Sequence, residues 1–283
     1  AALKLAATIG LAVLGWGYMA LAWGMLIGAA AQAAMLLAVR PEHLTMRPSL
    51  GKWREITRFG GWLTGASIAG TITKEGQKFV LGGLISPAAV ALFDRAVQVP
   101  SLFRMSILHP ITRVLFPALA DDIRNGRSVG QKVELLIAAN TMLVWPAFAI
   151  TVVVAEPLIV FVFGEQWRVA GEILPYLLLA QGLLAILPQP EQILVAYGRV
   201  KRLFGVRLFA VVNGLSFAAV GAVHSLAMVA YLRPAAAALF VTVLAFAMFR
   251  FMEVPRARLL VHYARALATA GLCALPALYM VSA

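Results

Sequence analysis

Residues 3–39 read LKLAATIGLAVLGWGYMALAWGMLIGAAAQAAMLLAV, and Lys4 is the one charge among these 37 residues. As a single helix they would extend about 55 Å, far beyond a hydrocarbon core of about 30 Å. Gly15-Trp16-Gly17-Tyr18 supplies a natural break. Two residues with unusual backbone freedom alternate there with two aromatics that favour a membrane–water interface. The stretch predicts a short helix over 3–15 and a spanning helix over 18–39. A run this apolar decides the fold class: helices that have a bilayer as their solvent.

The whole chain agrees. It has 283 residues, 62% hydrophobic and 13% charged, with a mean hydropathy of +0.88. A soluble domain carries about 45–50% apolar and about 25% charged residues. Soluble enzymes, disordered chains and disulfide-rich secreted modules are excluded, and a single cysteine, Cys273, leaves no disulfide or zinc framework. Further apolar runs lie at 56–82, 88–116, 133–155, 172–196, 203–222, 226–249 and 259–281. They are too long for strands and lack period-two alternation, and a closed barrel would need alternating segments of about 10 residues. The expected fold is all-α, a polytopic transmembrane helix bundle of about nine spans.

Charge orients the bundle. Lys plus Arg number 24 against 12 acids, a net +12. In this apolar background the excess points to loop anchors and lipid headgroups rather than to nucleic acid. Segments 40–58, 117–134, 199–207 and 250–265 hold 16 of the 24 bases, whereas the opposite connections 83–87, 156–171 and 223–225 hold only Arg168. The positive-inside rule places the four basic loops in the cytoplasm. Glu156, Glu165 and Glu172 then cluster on the outer side.

Eight bases remain outside those loops, and Lys74, Lys78, Arg95, Arg104 and Arg113 all fall within 56–116. A charge at the bilayer centre costs at least about 2.5–3.5 kcal/mol, so such residues face a water-filled cavity or one another. Lys74 and Lys78 are one helical turn apart, with Gln77 beside them; Arg95 and Arg113 are 18 residues, five ideal turns, apart, with Pro100 and Pro110 between them. Glu75 and Asp94 are the nearby acids, leaving an excess of three positive charges. That pattern suggests a cationic cavity for a phosphate or pyrophosphate headgroup. The alternatives are that Lys74 snorkels, that Arg95 sits at the outer interface with Asp94, and that Arg113 anchors the cytoplasmic end of its span. Arg233, before Pro234, reads as structural or interfacial.

The histidines, His43, His109, His224 and His262, show no metal spacing. No nucleotide-binding or nucleophile motif is present, so neither a cofactor nor an ATP-driven engine is expected. Energy would come from an ion gradient, the substrate gradient or another subunit. Gly60-Gly61, Gly65 and Gly70 permit close helix contact.

Within 47–200 the order of segments resembles the polysaccharide flippases of the multidrug/oligosaccharidyl-lipid/polysaccharide exporter superfamily. The resemblance rests on Phe59-Gly60-Gly61-Trp62 after a basic loop and on Leu81-Gly82-Gly83-Leu84-Ile85-Ser86-Pro87, followed by Ala88-Ala89-Val90-Ala91-Leu92-Phe93. Ser-Pro replaces a glycine region there, and Phe93 stands where tyrosine is common. It rests also on Val114-Leu115-Phe116-Pro117-Ala118-Leu119-Ala120, on Glu156-Pro157-Leu158-Ile159 with Phe163-Gly164-Glu165-Gln166-Trp167, and on Ala196-Tyr197-Gly198-Arg199. By this resemblance the chain begins within the fifth helix of a two-lobed transporter. Residues 1–55 would end the first lobe, 56–249 would form the second six-helix lobe, and 250–283 would add a C-terminal helix.

The resemblance implies flipping of an undecaprenyl-pyrophosphate-linked oligosaccharide, an O-antigen, capsule or exopolysaccharide unit, by alternating access. Lys74, Lys78 and Arg104, with Arg95 and Arg113, are the expected headgroup contacts; Glu75 and Asp94 are candidates for ion coupling. Membrane lipids, a polysaccharide polymerase and a chain-length regulator are the implied partners. A multidrug exporter of the same superfamily fits less well, because cationic drugs favour an acidic cavity. A non-transporting scaffold of polysaccharide assembly is a further alternative. A membrane-embedded glycosyltransferase or ligase would need catalytic acids and large outer loops, so the chain is not expected to be an enzyme.

Overall fold

The structure, a computed structural model, describes residues 2–39, 51, 53–187, 190–248 and 256–282; the side chains of 2, 3, 36, 39, 107–116, 256, 278 and 280–282 lie outside the described set. All regular structure among the described residues is helical, in twelve α-helices. The chain forms two compact units, Ala1–Glu55 and Ile56–Ala283.

In the first unit, α1 (Ala2–Val13) and α2 (Met19–Val39) form a hairpin. The turn falls at the predicted break, where Gly15 and Gly17 take φ values of 84° and 51° that side chains rarely adopt. Gly24 and Gly28, one turn apart on α2, face Thr8 and Lys4 of α1. A Cβ added at Gly24 would overlap the Thr8 hydroxyl. Small residues at this spacing let two helices approach closely where no water drives them together.

The unit boundary falls in the first turn of α3 (Trp53–Leu84), a helix of 32 residues whose part from Ile56 onward belongs to the second unit. The helix ends before Ser86, whose side chain accepts the Ala89 N–H at 3.1 Å and caps α4 (Pro87–Phe103); Pro87 opens α4, where its missing N–H is harmless. A π-helical turn, Arg104–Leu108, joins α4 to α5 (His109–Arg124). Pro110 lacks the N–H that would donate to the carbonyl four residues back, so the regular α-helical bond is missing beside this widened turn. The widening also interrupts the five-turn register expected between Arg95 and Arg113.

Next come α6 (Gly130–Val153), α7 (Ala155–Phe163), a 3-10 turn (Glu165–Trp167) and α8 (Arg168–Leu184). The expected outer connection 156–171 is therefore mostly helical. The expected span 172–196 is two helices: after a turn at 185–187 the chain continues as α9 (Pro190–Ala196). Pro188 lies outside the described residues, and Pro190, which cannot donate into a preceding turn, starts the new helix. The remaining elements are α10 (Val200–Ala222), α11 (Leu226–Met248) and α12 (Arg256–Ser282). The basic segment 199–207 is thus nearly all helix, which brings Arg207 two turns into α10.

Among the described residues, four helices are long and apolar enough to cross a membrane: α6, α10, α11 and the Ala257–Ala277 part of α12. Helix α3 has the length but carries Lys74, Glu75 and Lys78. Phe161 and Phe246 are 90% and 86% exposed, as side chains facing lipid would be.

Two apolar clusters organise this unit. One gathers Leu81, Phe93, Ile159, Leu174 and Val229 around α8; the other gathers Leu119, Ile137, Leu194, Leu244 and Met248. Helix α8 packs on α11, α4 and α7, and α12 lies along α6. Of the glycines expected to allow close contact, Gly65 faces Phe204 and Gly70 faces Arg207, whereas Gly60 and Gly61 have open space beside them.

Candidate functional site

Two adjoining cavities lie within the second unit, of about 230 Å³ and 190 Å³. They share Pro100 of α4, Gln181 and Leu184 of α8, Arg207 of α10 and Phe240 of α11. Their walls draw apolar residues from both clusters, Val144 and Phe148 from one and Leu194 and Leu244 from the other.

The charges in these walls are Arg104, Arg207, Arg233 and Glu191. Arg104, the first residue of the π-helical turn, lines the larger cavity and is exposed. Arg233, on α11, lines the smaller one, with its guanidinium 5.7 Å from the centre of the Phe93 ring. Neither Arg104 nor Arg233 makes an ion pair with a described residue. Arg207 belongs to both cavities and donates from Nη2 to Oε1 of Glu191, the first residue after Pro190 in α9. Three guanidiniums against one carboxylate leave the cavity walls cationic, in surroundings where apolar walls weaken screening.

The sequence-nominated residues are divided by the structure. The face of α3 that meets the smaller cavity carries Thr73 and Gln77, one turn apart; Lys74 and Lys78 lie one position further round. Lys78 is paired twice, to Glu75 at 3.3 Å and to Asp94 of α4 at 3.2 Å. Both nearby acids thus converge on one lysine, rather than dividing among the five bases. Lys74 is exposed. Arg95 donates to Gln98 at 3.0 Å and lies 5.0 Å and 5.3 Å from the Trp167 and Phe163 ring centres, not on Asp94. The side chain of Arg113 is outside the described set.

The sequence reading missed two of the three cavity cations. Arg207 falls in the segment expected to be a basic loop, and Arg233 is the arginine expected to be structural or interfacial. Helical phase carried a signal for Arg207, since Leu203, Val206 and Ala210 form the buried face of α10 and 207 adjoins it. For Arg233 the signal was a lone arginine within an otherwise uncharged apolar run.

Elsewhere, charges hold connections together. Arg168 bridges Glu165 and Glu156 on the predicted outer side, and the Glu165 carboxylate, followed by Glu156, raises its pKa above the usual guanidinium value. On the predicted cytoplasmic side, Asp122 meets Lys132 and Arg127. The Lys132 ammonium, with Arg127 adding its charge, holds the Asp122 carboxyl below the ordinary aspartate value.

Fold and site together define a helical membrane-type bundle with an arginine-lined interior. Residues 1–172 match the polysaccharide biosynthesis protein family, and the chain belongs to it. It is 26% identical over 174 residues to the succinoglycan biosynthesis transport protein ExoT of Rhizobium meliloti (strain 1021), covering 62% of this chain and 35% of that protein. It is 29% identical over 153 residues to the lipopolysaccharide biosynthesis protein WzxC of Escherichia coli (strain K12), covering 54% and 31%. To the teichuronic acid biosynthesis protein TuaB of Bacillus subtilis (strain 168) it is 25% identical over 184 residues, covering 61% and 38%. The matched part spans about a third of the length of these relatives. No solved structure matches the chain.

Proposed function

We propose that this chain is part of a bacterial inner-membrane flippase that moves a lipid-linked oligosaccharide, with undecaprenyl pyrophosphate as carrier, to the outer leaflet. The observation that carries the proposal is the arginine-lined pair of cavities, whose one carboxylate among the described residues is already paired. A pyrophosphate is a bidentate acceptor for guanidinium, and a confined apolar wall strengthens that attraction. Kinship with a transport protein of succinoglycan biosynthesis supports a polysaccharide unit as cargo.

In this reading Arg104, Arg207 and Arg233 hold the headgroup while the lipid tail stays among the exposed apolar faces. Residues 56–249 act as a second lobe that rocks against a first, with 250–283 as an added helix. Lys74, Lys78, Arg95 and Arg113 are flanking cations, and the basic segments face the cytoplasm. Glu75 and Asp94 are the coupling carboxylates: both hold Lys78, and because the Asp94 pair crosses from α4 to α3, protonation of Asp94 loosens the joint between these helices. Multidrug export is the weaker reading because the cavity is cationic.

The test is made in cells whose surface polysaccharide depends on the full-length protein. Arg207→Gln and Arg233→Gln are expected to deplete surface polysaccharide and to accumulate lipid-linked repeat units, with protein levels unchanged. Undiminished polysaccharide from both variants would refute the headgroup reading.

A further inference from the structure

Among the described residues, the one carboxylate in the cavity walls is committed to the one arginine that both cavities share. The two partners differ in how they are held. The Arg207 guanidinium lies across Gly70 of α3, its Cζ 3.5 Å from where a Cβ would stand, and its side chain is 25% exposed. Glu191 is 47% exposed and sits on the seven-residue α9, directly after the break in the chain. The cation is therefore fixed by the bundle, and the anion is the accessible half of the pair.

The pair has little net worth, because solvent reaches the half-exposed Glu191 carboxylate and ordering two long side chains opposes the pairing. A phosphate oxygen pair offers the same guanidinium more charge and a second acceptor. We infer that Glu191 is a displaceable counter-ion. It occupies Arg207 while the cavity is empty, and it yields Arg207 to an incoming phosphate or diphosphate headgroup. Beside a bound anion the displaced carboxylate is a like charge, so Glu191 lowers affinity and promotes release. It sets how tightly the headgroup is held without binding the headgroup itself.

The inference rests on the headgroup reading, and one experiment separates their failures. Farnesyl diphosphate and farnesol are titrated against the purified full-length protein in lipid nanodiscs. The proteins compared are wild type, Glu191→Gln and Glu191→Asp. Glu191→Gln is expected to bind farnesyl diphosphate about tenfold more tightly, the gain from freeing one charge-assisted contact, and to bind farnesol as wild type does. Glu191→Asp keeps the charge and should bind both probes as wild type does. It is the control that separates loss of charge from loss of fold. Equal or weaker diphosphate binding by Glu191→Gln, with Glu191→Asp normal, overturns the counter-ion role. Wild type that does not discriminate diphosphate from alcohol overturns the headgroup reading itself.

Discussion

Asn140 of α6 donates from Nδ2 to the carbonyl of Ala185, 2.5 Å away, just past the end of α8. It is one of three such contacts. Trp145 donates from Nε1 to Gly182 at 2.9 Å, and the Tyr263 hydroxyl donates to Ile186 at 3.0 Å. Tyr263, on α12, also stacks on Trp145 with ring centres 6.0 Å apart. A helix end leaves carbonyls without intrahelical partners, and in an apolar setting each needs another donor. Side chains of α6 and α12 supply donors where α8 breaks. Asn140→Ala is expected to lower stability by about 1–3 kcal/mol and Tyr263→Phe, which keeps the ring, by about 1 kcal/mol. Denaturant unfolding in detergent checks both, and a smaller effect of Asn140→Ala than of Tyr263→Phe would contradict the assignment.

Two glycines of α10 respond oppositely to the same substitution. A Cβ on Gly221 would stand 2.6 Å from the Cα of Val229, and backbone cannot yield cheaply. Gly205 is exposed with nothing within 4 Å. Gly221→Ala should destabilise by about 1–3 kcal/mol by forcing α10 and α11 apart. Gly205→Ala should stabilise by about 0.5–1 kcal/mol through helix propensity. Thermal melting of the two variants gives the signs directly.

The Asp122 cluster predicts a pH dependence. Its carboxyl is held below its unfolded value, near about 3.9, so its stabilisation is complete above that value. The stabilisation fades as pH falls through the lower folded value. Wild type should melt above Asp122→Asn at pH 7, and the gap should narrow as pH drops below about 4. A gap that widens on acidification would reverse the assigned sign.

Sidedness is checked by cysteine labelling in a Cys273→Ser background, since Cys273 is exposed. Gly83 is exposed with free space around it and suits the outer probe. Gly126 has φ +66°, where a side chain is strained, so Asn125 beside it is the better cytoplasmic probe. Gly83→Cys should react with an impermeant maleimide in intact cells and Asn125→Cys only after permeabilisation. The opposite pattern would invert the topology.

Much of the helical order was legible because length and apolarity alone mark helices meant for lipid. The Gly15–Tyr18 break was visible as local chemistry, and the connection 83–87 as a gap between two apolar runs, though the capping of α4 by Ser86 was not foreseen. The break after α8 was not, since its apolar run continues through it and only Pro188 and Pro190 hint at a stop. The cavity was partly legible. Arg104 belongs to it, but counting charges along α3 could not tell the face bearing Thr73 and Gln77 from the adjacent one bearing Lys74 and Lys78. Nor could it show that Glu75 and Asp94 share a single lysine. Arg207 was hidden by proximity in sequence to bases that anchor a helix end.

The most direct test of the central claim, that the arginine-lined cavity receives an anionic lipid headgroup, is equilibrium binding by the full-length protein in nanodiscs. Farnesyl diphosphate and farnesol are compared for wild type and Arg233→Gln. The account predicts that wild type prefers the diphosphate, that added salt weakens this preference, and that Arg233→Gln reduces diphosphate affinity about 10–100-fold while leaving farnesol unaffected. Equal affinity of wild type for both lipids, or full diphosphate affinity in Arg233→Gln, would contradict it.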